Sequence, residues 1–109
     1  MPKNVTVTIA TSGTISGPIE RMEGRSIIRI DFPTMTGTAL TLLGGETSVT
    51  TDMKAVGDET STLSIASPSG RSVTLAPYLT YGYSCLRLVS GTAEATPRLI
   101  SVYLNDYLG

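Results

Sequence analysis

The chain has 109 residues, a formal net charge of −1 and 16% charged residues, with Lys and Arg scattered along its length. This distribution offers no cationic surface, so neither nucleic acid nor a membrane is expected as a partner. The absence of histidine removes the usual general base near neutral pH and the commonest metal ligand. The 17 Thr and 12 Ser residues give a hydroxyl-rich composition that favours β-strands over helices.

The length fits one domain over residues 1–109. No apolar run is long enough to span a membrane, and residues 1–4 lack the apolar stretch of a signal peptide, so use without Sec export is expected. Cys85 is the only cysteine, and its position in a predicted core strand indicates a small buried apolar side chain rather than a reactive thiol.

Alternating apolar residues separated by turn signals predict about eight short strands. In the first strand Val5, Val7 and Ile9 share one face, and Thr6 and Thr8 share the other. A short piece near residue 15 follows. The remaining predicted strands cover residues 25–32, 38–43, 60–66, 71–75, 85–89 and 99–104.

In the strand over residues 25–32, the alternation predicts one face made of Ile28, Ile30 and Phe32 and the opposite face made of Ile27, Arg29 and Asp31. The predicted buried residues of the whole domain are Ile28, Ile30, Leu40, Leu42, Leu86, Leu88, Ile100 and Val102.

The segments between strands carry weaker signals. Residues 46–58 are interpreted as an irregular edge strand and loop, and residues 76–82 as a short loop or a single helical turn. Residues 67–70 predict a turn with proline second and glycine fourth. Three acidic residues lie close together in sequence, namely Asp52, Asp58 and Glu59. They are interpreted as part of a solvated loop rather than a calcium site, because their spacing fits no calcium motif.

The two most strand-like runs, residues 85–89 and 99–104, are separated by polar turn residues and are interpreted as a central hairpin. Taken together, the pattern predicts an all-β fold, a β-sandwich of jelly-roll type with about eight short antiparallel strands. A small barrel is the alternative architecture.

The order of these segments resembles that of small structural proteins of tailed-bacteriophage virions, single β-sandwich domains that decorate or cement the capsid. The resemblance depends on residues 8–13, on residues 24–30 leading into Pro33, and on residues 36–42. It is most specific in residues 82–92, followed by residues 98–100. Residues 34–35 and 44–46 depart from the pattern of a tryptophan after the proline and an Asp-Gly turn after the next strand.

The resemblance implies a non-enzymatic protein on the capsid surface of a virion, made in the host cytoplasm. Its expected partners are the major capsid protein and further copies of itself, with a trimer favoured at threefold positions. No catalytic residue, cofactor or metal site is predicted. Residues 1–14 form a candidate subunit-crossing strand, since the segment from Val5 through Ala10 has neither charge nor proline to protect its edge. This strand is expected either to be covered internally or to pair with a neighbouring subunit.

A carbohydrate-binding module is the alternative function, because β-sandwiches often bind glycans through exposed aromatic rings. Tyr78, Tyr81 and Tyr83 lie within six positions and are the candidate platform. Tyrosines beside strands more often pack over the end of a sandwich with the hydroxyl in water, so packing or a subunit contact is the favoured interpretation of this cluster. The candidate interaction residues are therefore Val5, Val7, Ile9, Tyr78, Tyr81 and Tyr83.

Overall fold

The structure, a computed structural model, describes residues 3–20, 25–57 and 60–106. These residues form β-strands and short 3-10 helices, and no α-helix occurs among them. The strands are β1 (Lys3–Ile9), β2 (Arg25–Asp31), β3 (Ala39–Gly45), β4 (Lys54–Ala55), β5 (Ser64–Ala66), β6 (Ser72–Thr74), β7 (Cys85–Ser90) and β8 (Arg98–Asp106). The 3-10 helices are η1 (Thr50–Asp52) and η2 (Pro77–Leu79).

The strands form two antiparallel sheets that enclose one apolar core. Sheet A has the order β1-β8-β2-β6. In sheet B, β3 pairs with β7 along one edge and with β4 and β5 along the other. Residues 15–19 extend sheet B, since Ile15 forms a bridge to Val89 and Ile19 forms a bridge to Leu86 in β7.

The connectivity of the two sheets is that of a jelly roll. If residues 15–19 count as the second strand, and β4 with β5 as one interrupted fifth strand, sheet A has the order 1-8-3-6 and sheet B the order 2-7-4-5. Consecutive strands then lie in different sheets except for the fourth and fifth, which pair with each other in sheet B, as in two Greek keys. The expectation of an all-β sandwich of jelly-roll type is confirmed.

The predicted central hairpin is wrong. Strand β7 pairs with β3 in sheet B, whereas β8 lies between β1 and β2 in sheet A, so residues 91–97 cross from one sheet to the other. Alternating apolar residues show which face of a strand is buried, and both strands bury a face in the shared core. The pattern does not specify the strand's partner, and proximity in sequence was the wrong guide to it.

Most predicted core residues are buried, but the faces of β2 change within the strand. The pairing of β2 with β8 shifts register between Ile27 and Arg29, which is a β-bulge. Ile27 is therefore fully buried and Ile28 is only partly buried, the reverse of the predicted assignment for this pair. Beyond the bulge, Ile30 and Phe32 are buried as predicted.

Three local features refine the sequence interpretation. The turn after β5 runs from Pro68 to Arg71, whose N–H donates to the Pro68 carbonyl at 3.1 Å. Proline is thus first rather than second, and Gly70 occupies the third position with φ +69°. Helix η2 supplies the single helical turn expected in residues 76–82, and η1 lies inside the segment expected to be irregular. Cys85 is buried, as predicted.

Candidate interaction surfaces

The side chains of Val7 and Ile9, predicted as contact residues, lie in the core of this chain. Val5 is partly buried and packs against the same core. The sequence predicts that this strand is either covered internally or paired with a neighbouring subunit. Val7 and Ile9 are covered internally, so a contact that β1 makes with another molecule uses its backbone edge, its polar face and the exposed part of Val5.

The outer edge of β1 has an unpaired backbone window. Near the end of the strand the Thr8 carbonyl accepts a hydrogen bond from the Gly17 N–H at 3.2 Å, so the backbone groups of Thr8 point away from β8. Alternate residues of a strand direct their N–H and C=O groups to the same side, and Asn4 and Thr6 therefore also point outward. None of the described residues hydrogen-bonds Asn4 or Thr6 on that side. We call residues 3–7 the open window.

The solvent side of sheet A is mainly polar, and we call it the hydroxyl face. It consists of two rows across the strands, Asn4–Tyr103–Arg29–Thr74 and Thr6–Ser101–Asp31–Ser72.

The charged side chains of the hydroxyl face lie close together, and Arg29 Nη2 donates a hydrogen bond to Asp31 Oδ2 at 3.3 Å. Arg29 Nε lies 3.2 Å from Asp31 Oδ1, and the guanidinium stacks 3.9 Å from the centre of the Tyr103 ring. The Ser72 hydroxyl donates to Asp31 at 2.5 Å. A partner covering this face therefore meets a neutralised ion pair and hydroxyls rather than an isolated charge.

The β2 bulge creates a shallow depression in the hydroxyl face. Ile28, Arg29, Thr74 and Tyr103 line an open cavity of about 410 Å³. Because the bulge directs Ile28 toward solvent, the cavity wall is largely apolar although the rows around it are polar. Leu99, on the neighbouring strand, is also exposed. This part of the face is suited to receive an apolar group of a partner.

A buried ionised cluster, which the sequence analysis missed, joins the loops at one end of the sandwich. Glu94 is 1% exposed, and its carboxylate accepts hydrogen bonds from the Thr36 N–H at 2.8 Å and the Gly37 N–H at 3.0 Å. It also accepts from the Ser90 hydroxyl at 2.8 Å and from Arg98 Nε at 2.9 Å. We call these five residues the Glu94 node.

The node keeps Glu94 ionised. Burial is the largest single influence and would raise the pKa of the carboxyl group. The hydrogen bonds from Thr36, Ser90, Arg98 and Gly37 together outweigh burial and lower the pKa to about 2. The carboxylate is therefore charged throughout the neutral and mildly acidic range, and its role is structural.

The same end of the sandwich is closed by further hydrogen bonds between loops. The Ser12 N–H donates to the Glu94 carbonyl at 2.7 Å, and the Glu94 N–H donates to the Gly13 carbonyl at 3.0 Å. The Met35 N–H donates to Ser69 Oγ at 2.8 Å. These bonds link all the loops at this end. The sequence held one signal of the node, a glutamate four residues before an arginine, which is too common to be read without the structure.

The tyrosine cluster divides into exposed and packed members. Tyr78 is 68% exposed and Tyr81 is 45% exposed, on η2 and in the turn after it. Tyr83 is partly buried and packs against the core, and its ring lies so close to Gly44 that a Cβ there would fall 2.5 Å from it. Tyr83 therefore serves packing, while Tyr78 and Tyr81 present accessible rings.

The acidic residues predicted to form a solvated loop lie only partly within the described residues. Asp58 and Glu59 lie outside the described residues, and Asp52 is exposed. Within the described ranges, no group of three or more His, Cys, Asp or Glu residues is arranged to hold a metal ion. No helix in this part of the chain has the length and hydropathy needed to cross a membrane. The sequence matches no protein-family model and no curated protein.

Proposed function

We propose that the chain is a non-enzymatic structural protein of a bacteriophage virion, which decorates or cements the capsid surface through protein–protein contacts. The sequence resemblance to small virion proteins motivates this function. The observation that supports it most directly is the open window of β1 beside the hydroxyl face, an edge and a face of one sheet that are both suited to contact another protein.

Such a contact would leave neither charge of the ion pair between Arg29 and Asp31 buried without its counter-charge. Arg29 and Asp31 already neutralise each other, so a capsid subunit covering the hydroxyl face would not isolate either charge. Backbone groups in the open window add affinity by strand addition, in which main-chain hydrogen bonds hold an extended segment to a sheet edge. The apolar cavity near Ile28 offers a place for a side chain of that subunit.

A cement protein must also resist deformation, since it transmits load between subunits. The Glu94 node joins loops from both sheets by charge-assisted hydrogen bonds, which are stronger than neutral ones. This end of the sandwich therefore behaves as one stiff unit.

The experiment compares capsids assembled with and without the chain. Purified protein added to depleted capsids should bind at fixed stoichiometry and raise their rupture temperature, because binding only the assembled state stabilises that state. Arg29→Ala should weaken binding by leaving Asp31 unpaired, while Glu20→Ala, an exposed residue outside sheet A, is the matched control. Absence of binding, or binding with unchanged rupture temperature, would refute the cementing role.

Glycan binding is the second candidate, favoured by the exposure of Tyr78 and Tyr81. Exposed rings of this kind can stack on sugar faces. A glycan array should then show saturable binding that Tyr78→Ala and Tyr81→Ala each reduce, whereas capsid stability should not depend on either ring. An array with no signal removes this alternative.

A further inference from the structure

We propose that two copies of the chain associate by antiparallel, two-fold pairing of their open windows, with Asn4 of each copy opposite Thr6 of the other. This contact joins the two sheets A into one continuous sheet. It is argued from the geometry of β1 and does not rest on capsid binding. Because a dimer occupies the open window, it excludes strand addition by a capsid subunit at that edge and leaves the hydroxyl face for capsid contact.

The register follows from which backbone groups are available. Among the outward-pointing residues of β1, Asn4 and Thr6 have both their N–H and C=O groups without a partner in the described part of the chain, whereas the Thr8 carbonyl is already bonded to Gly17. In an antiparallel ladder, residues that exchange both hydrogen bonds lie directly opposite each other. Pairing Asn4 with Thr6 of a second copy uses every outward group in the window. Pairing Thr6 with its own equivalent sets Asn4 opposite Thr8, whose carbonyl is already occupied, and pairing Asn4 with its own equivalent sets Thr6 opposite Pro2, which has no N–H. The register with Asn4 opposite Thr6 therefore makes the most hydrogen bonds, and its two-fold axis passes beside Val5.

The side chains brought together in this register are compatible. On the hydroxyl face, the Asn4 amide lies beside the Thr6 hydroxyl of the second copy, and both are exposed and uncharged in the single chain. On the core side, Val5 is only partly buried, and Val5 of the second copy would cover it. Lys3 lies opposite Val7 of the second copy.

A second copy fits this edge better than a threefold arrangement does. A two-fold contact requires a patch that complements itself, and the open window has this property. A closed trimer built through sheet A would instead pair β1 with the other edge of the sheet, β6. That edge is only Ser72–Thr74, and exposed Arg71 precedes it. The trimer expected from the family resemblance therefore finds less support at this edge than a dimer.

The first test measures oligomeric state by sedimentation velocity over a wide range of protein concentration. The unaltered chain should be a dimer that dissociates on dilution. Thr6→Pro removes an outward N–H while leaving the hydrogen bonds to β8 in place, so the fold should persist. Its dimer dissociation constant should rise at least about 30-fold through the loss of symmetric hydrogen bonds. Thr6→Val, which keeps the N–H, is the matched control and should remain dimeric.

The second test uses a disulfide across the two-fold axis. Val5 would face Val5 of the second copy as a non-hydrogen-bonded pair, with Cα atoms about 4.5 Å apart, a separation that a disulfide spans. Val5→Cys should form a covalent dimer on mild oxidation. Thr8→Cys, outside the open window, should not. Cys85 is buried and does not compete with the introduced thiol.

The outcomes decide the proposal. A monomer at every concentration, a trimer, or equal cross-linking of Val5→Cys and Thr8→Cys would overturn it. If Thr6→Pro fails to fold, the cross-linking comparison still decides. A folded, monomeric Thr6→Pro chain that binds and stabilises capsids would confirm the dimer contact and show that cementing does not require it. A dimer that ignores capsids would refute only the virion role.

Discussion

Replacing Glu94 by glutamine tests the view that one buried carboxylate joins the loop end of the sandwich. The substitution keeps the size and shape of the side chain but removes its charge. It also places an amide donor among groups that all donate to this position, the Thr36 and Gly37 N–H groups, the Ser90 hydroxyl and the Arg98 guanidinium. Glu94→Gln should therefore fold less stably while keeping the same architecture.

The expected loss follows from the pKa of the carboxyl group. A pKa lowered from 4.5 to about 2 in the folded chain corresponds to about 3 kcal/mol of stabilisation by the ionised form. The node lies at the loop end rather than between the sheets, so screening by nearby solvent reduces this to about 2–3 kcal/mol. Arg98, whose side chain is 15% exposed, adds to the loss because its charge is left without a carboxylate.

The pH dependence gives a second, independent signature. Folding favours the ionised carboxylate, so its stabilisation is complete above the unfolded-state pKa of 4.5 and is lost as pH falls toward 2. Urea unfolding of the unaltered chain and Glu94→Gln should differ by about 2–3 kcal/mol at neutral pH, and the difference should narrow progressively below pH 4.5. Glu46→Gln, at an exposed glutamate bonded only to the Ser84 hydroxyl at 3.1 Å, is the control and should change little.

Two results would refute this reasoning. If Glu94→Gln matches the unaltered chain at neutral pH, the node does not contribute to stability. If its deficit persists unchanged at the lowest pH at which both chains fold, the effect comes from packing of the amide and not from the charge.

Two further predictions concern backbone features. Ile27→Ala should cost about 2–5 kcal/mol and Ile28→Ala clearly less, because the bulge buries the first fully and leaves the second only partly buried; equal losses in urea melts would contradict the register shift. Gly37→Ala should cost about 1–3 kcal/mol, since a Cβ there collides with the Ser90 hydroxyl. Adding Ser90→Ala should recover part of that loss, and strictly additive unfolding energies would show that the two residues do not collide.

The sequence predicted the class of fold and most of the buried side chains because both follow from alternation. Leu40, Leu42, Leu86 and Leu88 are buried as expected, since a strand facing a core repeats every second residue whichever strand it pairs with. Because the alternation of apolar residues does not depend on the pairing partner, it could not show that β7 and β8 lie in different sheets rather than in the expected hairpin. The bulge at Ile28 was equally out of reach, because one inserted residue changes the faces without leaving a compositional mark.

The candidate sites were predicted less well than the fold. The first strand was recognised as an unprotected edge, but which of its backbone groups are open depends on the Gly17–Thr8 hydrogen bond, a contact between segments that no local pattern specifies. Glu94 was assigned to turn material because charged residues in polar loops are usually solvated. Its burial depends on hydrogen bonds from the N–H groups of Thr36 and Gly37, which lie more than fifty residues earlier in the chain.

The position of β8 has a consequence for how the molecule is synthesised. Although it is the last strand in chain order, it lies between β1 and β2, so sheet A has a gap at its centre until residues 98–106 have left the ribosome. Sheet B needs nothing beyond β7 and can assemble first on the nascent chain. During that interval β1 and β2 lack the strand that lies between them, which comes from a distant part of the chain. Such long-range pairing slows folding, and it favours pairing with the wrong strand. Early termination just before residue 98 should therefore release a half-built sandwich that aggregates.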